Sequence, residues 1–178
     1  EIGKFLDAVK DLGISDNTLI VFSSDNGGSL PHGALNGELR GGKQDHWEGG
    51  IRVPTCAVWP GVISPGRSNE LGITMDLLPT FCEIAEVNVE HEIDGKSLAP
   101  IWLKGTKGDP NRTLIWVRLE GNRRYQGRAY YAIRRGDWKL LQNTAFEPMQ
   151  LVNLAKDPKE AKPMPPNGKI ANDLTRAL

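Results

Sequence analysis

The apolar positions of the first hundred residues switch between two spacings. Where they recur every three or four residues they predict amphipathic helices, and where they run continuously through β-branched residues they predict strands buried on both faces, as in a parallel sheet. The predicted elements, in chain order, are a helix over 2–12, strands over 18–22 and 55–59, and helices over 76–85 and 98–103. This alternation indicates an α/β domain. The first helical pattern is already under way at Glu1, with no capping residue before it, so we expect the chain to be part of a longer one.

The pattern changes after Asp109-Pro110. Short strand-like runs separated by turn residues predict a small antiparallel sheet, then a proline-rich surface segment and a terminal helix. The predicted strands cover 114–119, 129–135, 138–142 and 149–152, the surface segment covers 158–166 and the helix 170–178. We therefore expect two domains, an α/β part over residues 1–108 and a small antiparallel-sheet part over residues 109–178. Because two strands cannot form a sheet covered on both faces, the first part should be the C-terminal portion of a larger mixed sheet.

Charge and composition limit the partners of the protein. Its 178 residues carry 22 basic and 22 acidic side chains, so global charge predicts no nucleic-acid partner and any anion must be bound locally. No apolar stretch approaches the roughly 20 residues that a membrane span needs. The two cysteines, Cys56 and Cys82, lie in apolar surroundings, which favours buried thiols over a disulfide and leaves the compartment open.

Asp25 and Asn26 follow the first predicted strand directly. In open α/β sheets ligands collect at the carboxyl ends of strands, and a carboxylate and an amide oxygen are hard ligands suited to calcium or magnesium. The alternative is a simple turn, because Asp-Asn-Gly is a common turn sequence in which the Asp side chain bonds its own backbone.

A long glycine-rich segment over residues 33–50 predicts an ordered functional loop. Lys43 lies between glycines, where its ammonium could contact sulfate or phosphate oxygens; the alternative is a solvated lysine. His32 and His46 are candidate proton donors or substrate contacts, or else surface histidines. Glu48 and Arg52 could pair and brace the loop.

Basic residues are concentrated between positions 112 and 139. This stretch contains eight basic residues and only two acidic residues, Glu120 and Asp137. A solvated sheet face and a surface that attracts a sulfated glycan are both consistent with this surplus. The basic residues are Arg112, Arg118, Arg123, Arg124, Arg128, Arg134, Arg135 and Lys139.

Several motifs, taken together and in order, resemble the formylglycine-dependent sulfatases, the arylsulfatase family. The first half of the chain contains Asn-Thr-Leu-Ile-Val-Phe-Ser-Ser-Asp-Asn-Gly-Gly (17–28), Leu-Arg-Gly-Gly-Lys (39–43), Trp-Glu-Gly-Gly-Ile-Arg-Val-Pro (47–54) and Trp-Pro-Gly (59–61). Met-Asp-Leu-Leu-Pro-Thr (75–80), Ile-Asp-Gly-Lys-Ser-Leu (93–98), Trp-Lys-Leu (138–140) and Leu-Val-Asn-Leu-Ala-Lys-Asp-Pro (151–158) follow. The resemblance covers nearly the whole chain.

That resemblance implies an alkaline-phosphatase-like α/β fold with a small C-terminal antiparallel subdomain. It implies that Asp25 and Asn26 are two ligands of a calcium ion, rather than magnesium, and that Lys43 is a catalytic residue contacting the sulfate group. Gln44, Asp45 and His46 differ from the residues often found beside that lysine and become candidate substrate contacts. By the same resemblance the protein is expected in a periplasmic, extracellular or lysosomal compartment.

The family's nucleophile is a formylglycine made from the cysteine of Cys-x-Pro/Ala-x-Arg. Neither Cys56-Ala-Val-Trp nor Cys82-Glu-Ile-Ala matches that motif, so we expect the nucleophile outside these residues and no turnover by this segment alone. The parent protein is then expected to hydrolyse sulfate esters, on a sulfated carbohydrate. The alternatives are a phosphate or phosphonate ester hydrolase of the same superfamily and a non-catalytic fragment that binds sulfated glycans.

Overall fold

The computed structural model of the protein describes residues 1–119, 123 and 126–178. These residues form two compact units. The first unit comprises residues 1–23 and 54–108, and the second comprises residues 24–53 and 109–178. The glycine-rich segment thus clusters with the C-terminal residues, although the sequence placed it with the α/β part. The domain boundary between residues 108 and 109 stays a prediction.

The secondary structure follows the predicted order closely. The helices are α1 (Ile2–Asp11), α2 (Glu48–Ile51), α3 (Leu77–Ile84), α4 (Ala99–Lys104) and α5 (Gly168–Ala177). The strands are β1 (Ile20–Ser23), β2 (Thr55–Val58), β3 (Thr113–Leu119), β4 (Ala129–Arg135), β5 (Trp138–Leu141) and β6 (Gln150–Asn153), and 3₁₀ turns cover Ser15–Asn17, Leu30–His32 and Thr74–Asp76. None of the described helices is long and apolar enough to cross a membrane.

In the first unit, β1 and β2 form an antiparallel pair in which Ile20 lies opposite Val58. The prediction of parallel strands buried on both faces is therefore wrong for this pair. Phe22 is 45% exposed and Val58 49% exposed. A continuous apolar run indicates that a strand can be covered on both sides, but it carries no information about the direction of its neighbour.

Both cysteines are free thiols in the first unit, as predicted, but they are not buried. Cys56 on β2 is exposed and Cys82 on α3 is partly exposed. The same exposure of β2 that overturns the buried-strand prediction accounts for Cys56.

A buried carboxylate organises the entry to α3. Asp76 is fully buried, and its two oxygens accept hydrogen bonds from the backbone of Ile73 (2.9 Å) and of Lys96 (2.9 Å). Thr80 donates to the Asp76 carbonyl at 2.6 Å and accepts from the backbone of Leu98 at 2.8 Å. These bonds fix the segment before α4 against α3 and satisfy polar groups that burial would otherwise leave unpaired.

The second unit contains a four-stranded antiparallel sheet in the order β3-β4-β5-β6. Arg135 pairs with Trp138 across the predicted hairpin turn. Successive side chains of a strand point to opposite faces, so the sheet has two apolar faces. Helix α5 covers one of them with Ala171 and Leu174, which pack with Ile133, Leu140 and Leu151.

The opposite face of this sheet is covered by the glycine-rich segment. Trp47 is only 4% exposed, and it packs against Ala132, Leu141, Val152 and Leu154. A buried tryptophan supplies a large apolar contact area, so this side chain anchors the segment that carries the candidate functional residues.

The proline-rich segment 158–166 is not only a surface segment. Glu160 within it is fully buried, and Met164 forms an antiparallel bridge with Leu151. The predicted surface position is therefore wrong for part of the segment, because a charged partner on the sheet draws Glu160 inward.

Candidate active site

The stretch after β1 and the loop that carries Lys43 lie side by side in the second unit. The backbone of Gly27 donates to the carbonyl of Gly50 at 2.9 Å, and the backbone of Lys43 donates to the carbonyl of Gly28 at 2.9 Å. A Cβ atom on Gly27 would lie 1.7 Å from the carbonyl oxygen of Gly49. Glycine is therefore required at position 27 for the two stretches to approach this closely.

Asn36 joins the same two stretches through its side chain. Its Oδ1 accepts a hydrogen bond from the backbone of Gly28 at 2.7 Å. Its Nδ2 donates to the carbonyl of Gly41 at 2.9 Å and to that of Gly28 at 3.3 Å. No sequence argument singled out Asn36, because an asparagine in a glycine-rich loop is an ordinary turn residue.

Asp25 and Asn26 form the turn that the alternative interpretation of this pair anticipated. Asp25 Oδ1 accepts hydrogen bonds from the backbone (2.9 Å) and the Nδ2 (2.7 Å) of Asn26. Within the described residues the second Asp25 oxygen and the Asn26 Oδ1 accept no hydrogen bond, and both are oxygen donors of the kind that calcium uses. The pair therefore fits a hard divalent metal ion as a partial ligand set. The described part of the chain holds no cluster of three or more His, Cys, Asp or Glu side chains that could hold a metal ion.

Lys43 is exposed, and its ammonium group has no hydrogen-bond or ion-pair partner among the described residues. Its position is fixed through the backbone alone, by the bond to Gly28. The chemistry available at this point is therefore a positive charge ready for an external anion.

The predicted substrate contact Asp45 has partners inside the loop for both carboxylate oxygens. Oδ2 accepts from the backbone of Gly42 at 2.8 Å, and Oδ1 accepts from Nδ2 of Asn143 at 2.8 Å. This geometry favours a structural role, in which Asp45 fixes the residue before Lys43 and ties the loop to the segment after β5.

His46 also faces inward, with 5% of its surface exposed. Its Nδ1 donates to the carbonyl of Gln142 at 3.0 Å, and its ring lies 4.9 Å from the ring of Tyr130. Burial lowers the pKa of the imidazole below its usual value, and the positive charge of Lys139 acts in the same direction, against the hydrogen bond to Gln142. A neutral, enclosed imidazole again favours a structural role over the predicted substrate contact.

His32 lies at the end of the 3₁₀ turn Leu30–His32 and is exposed. Its Nδ1 is hydrogen-bonded to the hydroxyl of Ser29 at 2.7 Å. This geometry leaves its role as a substrate contact a prediction.

A buried ion cluster fastens the loop to the sheet. Lys139 on β5 is fully buried, and its Nζ donates to Glu48 Oε1 and to Glu160 Oε1, each at 2.9 Å. Glu160 Oε2 in turn accepts from the backbone of Glu48 at 2.6 Å. Burial raises the pKa of the Glu160 carboxyl above its usual value, and the charge of Lys139 opposes that shift. Glu48 does brace the loop as predicted, but its ion pairs among the described residues are with Lys139 and Arg134 rather than with Arg52.

Arg40 completes this attachment. Its guanidinium lies 3.6 Å from the centre of the Trp47 ring and donates to the carbonyl of Glu160 at 2.8 Å. The stacked cation shields the outer face of Trp47. The loop residues on both sides of Lys43 are thus held by buried or stacked side chains, although Lys43 itself is exposed.

The basic stretch of residues 112–139 is largely used inside the second unit. Lys139 and Arg112 are buried, and Arg134 pairs with Glu48 at 3.6 Å. Arg123 and Arg128 are exposed, whereas Arg124 lies outside the described residues. The described part of the stretch is therefore not a continuous basic surface, which removes most of the support for a glycan-binding face built from it.

Sequence comparison shows that the chain is similar to sulfatases. Residues 1–87 match the protein family described as Sulfatase. Arylsulfatase A of Bos taurus is 35% identical over 184 aligned positions, which cover 89% of this chain and 36% of that protein. The N-acetylgalactosamine-6-sulfatase of Homo sapiens is 41% identical over 124 positions, which cover 66% of this chain and 23% of that protein. The chain therefore spans little more than a third of the length of arylsulfatase A, and less of the N-acetylgalactosamine-6-sulfatase.

A solved structure shows the same likeness in three dimensions. The crystal structure of Ps i-CgsB in complex with k-i-k-neocarrahexaose matches with a TM-score of 0.88 and 34% identity, over 99% of this chain and 39% of that one. The predicted resemblance and the predicted α/β, alkaline-phosphatase-like fold class are both confirmed.

Proposed function

Because this chain belongs to the sulfatase family, we propose that the full-length protein hydrolyses sulfate esters of carbohydrates. The observation that carries the proposal is the backbone connection between the Asp25–Asn26 turn and the Lys43 loop, formed by Lys43 and Gly28 at 2.9 Å. It places a cation that has no partner among the described residues and a pair of hard oxygen donors on adjoining stretches of backbone. The cation can contact an oxyanion directly, and the oxygen donors can hold a metal ion that contacts it as well.

Lys43 has the catalytic role in this proposal. A sulfate ester that undergoes attack at sulfur develops negative charge on its leaving oxygen and carries charge on its remaining oxygens. The Lys43 ammonium offsets that charge by direct contact, and its fixed backbone means that little reorganisation is needed when the substrate arrives.

Asp25 and Asn26 would hold a calcium ion through their oxygens, with further ligands from outside these 178 residues. Bound calcium would supply a second positive charge against the sulfuryl oxygens. Formylglycine as the nucleophile also belongs to the proposal and likewise lies outside these residues, since neither cysteine here has the required motif. A compartment outside the cytoplasm is proposed on the family resemblance alone.

A carbohydrate substrate is proposed from the names of similar proteins. One is an N-acetylgalactosamine-6-sulfatase and another was crystallised with a neocarrahexaose. In this proposal Asp45 and His46 hold the loop in its conformation. His32 contacts the substrate.

The test is turnover by the full-length protein, produced with its formylglycine formed. We expect hydrolysis of 4-nitrophenyl sulfate, N-acetylgalactosamine 6-sulfate or carrageenan oligosaccharides, and a fall in kcat of about 10²–10³-fold in Lys43→Ala. Lys159→Ala is the matched control, because Lys159 is also an exposed lysine of the second unit and pairs only with Glu38 among the described residues. Asp25→Ala should raise the calcium concentration for half-maximal activity by about tenfold or more.

Two outcomes would contradict the proposal. Faster turnover of 4-nitrophenyl phosphate than of any sulfate would instead support the phosphate or phosphonate ester hydrolase. Equal losses in Lys43→Ala and Lys159→Ala would show that Lys43 has no special role in the reaction.

A further inference from the structure

Gln44, the residue after Lys43, has an unusual backbone conformation. Its φ angle is +86°, in the left-handed region that side-chain-bearing residues rarely adopt. Glycine adopts such angles without strain, yet this glycine-rich loop has glutamine here. Strain of this kind concentrates at functional sites, where the surrounding structure maintains it.

The surrounding structure holds Gln44 in this conformation through its carbonyl group. The oxygen accepts a hydrogen bond from a guanidinium nitrogen of Arg118 at 2.7 Å and from the hydroxyl of Tyr130 at 3.4 Å. Tyr130 is 1% exposed and therefore rigidly packed. The backbone of Lys43 is fixed on the preceding side by Gly28. The conformation of Gln44 is thus imposed by contacts on both sides of the peptide.

The side chain of Gln44 is left for external contacts. Gln44 is exposed, as is Lys43, and its side-chain amide has no hydrogen-bond partner within the described residues. The next two side chains point inward, since Asp45 is bonded to Gly42 and His46 is buried. Among the three residues that follow Lys43, Gln44 alone presents an unused hydrogen-bonding group to solvent.

We propose that Gln44 is a specificity-determining residue that binds the sugar leaving group of the substrate. Its amide can donate and accept hydrogen bonds at once, which suits a ring hydroxyl beside the sulfated position. An aryl leaving group offers no such hydroxyl. The inference rests on the proposed function, and it adds that the residue next to the sulfate-binding lysine selects a hydroxylated leaving group.

The test compares sugar and aryl sulfates with variants of the full-length protein. In Gln44→Gly the side chain is lost while the backbone conformation becomes easier to adopt. We expect kcat/KM for N-acetylgalactosamine 6-sulfate or carrageenan oligosaccharides to fall by about fivefold or more, the effect of one or two hydrogen bonds. For 4-nitrophenyl sulfate the kcat/KM of the variant should stay within about twofold of the wild-type value. The thermal midpoint of the variant should not decrease.

Gln44→Asn and Glu86→Gly separate loss of contact from relief of strain. Asparagine tolerates a positive φ and keeps the amide on a shorter side chain, so its sugar-to-aryl ratio should lie between those of wild type and Gln44→Gly. Glu86 is exposed with a φ of +56° in the first unit. Its replacement by glycine relieves the same kind of strain and should leave the ratio unchanged.

The possible failures are distinguishable. If wild type hydrolyses both substrate classes and Gln44→Gly keeps the same ratio, Gln44 does not read the sugar and the inference is wrong. If wild type hydrolyses only 4-nitrophenyl sulfate, the carbohydrate part of the proposed function fails together with the inference. If wild type hydrolyses neither, the sulfatase proposal itself is overturned.

Discussion

Replacing Lys139 by methionine tests whether the buried ion cluster holds the Lys43 loop in place. Lys139 donates to Glu48 and to Glu160 at 2.9 Å each, and none of the three side chains is more than 3% exposed. Methionine has a similar volume but no charge, so two buried carboxylates would lose their shared partner. Removing one member of a buried ion cluster costs about 3–5 kcal/mol, and we expect a loss of this size in the free energy of unfolding at pH 8.

The loss should depend on pH with a definite sign. Burial already raises the pKa of Glu160, and without Lys139 the folded-state pKa of this carboxyl rises further. A carboxyl whose pKa is higher in the folded than in the unfolded state stabilises the fold least at high pH, where it must be charged. The deficit of Lys139→Met relative to wild type should therefore shrink from pH 8 to pH 5.5, by at most about 1.4 kcal/mol per pH unit for one proton.

Urea unfolding of the full-length protein, followed by tryptophan fluorescence, is the assay. Lys159→Met is the matched control, because the Lys159–Glu38 pair has a similar distance of 2.7 Å but side chains that are 54% and 79% exposed. Such a pair contributes about 0–1 kcal/mol. The double variant Lys139→Met/Glu160→Gln should recover part of the loss, since it removes one of the stranded charges. If Lys139→Met shifts the midpoint no more than Lys159→Met at either pH, the cluster does not secure the loop.

Three further predictions concern the loop and its surroundings. Asn36→Ala removes the side-chain bonds to Gly28 and Gly41 and should lower stability by about 1–3 kcal/mol, together with a fall in kcat for 4-nitrophenyl sulfate. Gly27→Ala places a methyl group 1.7 Å from a carbonyl oxygen, whereas Gly66→Ala meets nothing within 4 Å; thermal midpoints should fall for the first and stay nearly unchanged for the second. Burial lowers the pKa of His46 in the folded state, so folding disfavours protonation of this imidazole. The contribution of the neutral imidazole to the free energy of unfolding is therefore fully present above the pKa of an unfolded histidine, about 6.5, and decreases as the pH falls below it. His46→Gln should flatten that decrease between pH 7 and pH 5 in thermal denaturation.

The elements of the second unit were predictable because each has a strong local signal. The alternating strand β4 was predicted over the observed residues, Ala129–Arg135, and the turn residues after it were correctly placed between β4 and β5. The local pattern gave no information on the partner of β1, since an apolar run fits a parallel or an antiparallel neighbour equally well. The antiparallel pairing of Ile20 with Val58 depends on contacts that are remote in sequence.

The candidate site shows the same division between local and remote information. The motifs predicted Lys43 and the Asp25–Asn26 pair as site residues, and in the structure the Lys43 backbone bonds to Gly28, two residues after Asn26. Sequence reasoning missed Asn36, because its function comes from three bonds to backbone groups up to eight residues away. It predicted Asp45 as a substrate contact, because the sequence around a candidate catalytic lysine gives no sign of the partner Asn143, which lies 98 residues later.

The internal use of part of the basic stretch has a physical cause that the strand pattern helps to show. Lys139 occupies the same face of β5 as Leu141, two residues on, and Leu141 belongs to the apolar cluster around Trp47. A lysine at an inward position of an apolar strand must be neutralised or paired, because an isolated buried charge is very costly. Arg134 lies directly opposite Lys139 on the neighbouring strand, so two positive side chains meet on the buried face. Their positions require acidic partners from elsewhere in the chain, which Glu48 and Glu160 provide. The part of the charge surplus carried by Lys139 and Arg134 therefore serves as an internal attachment point for the Lys43 loop.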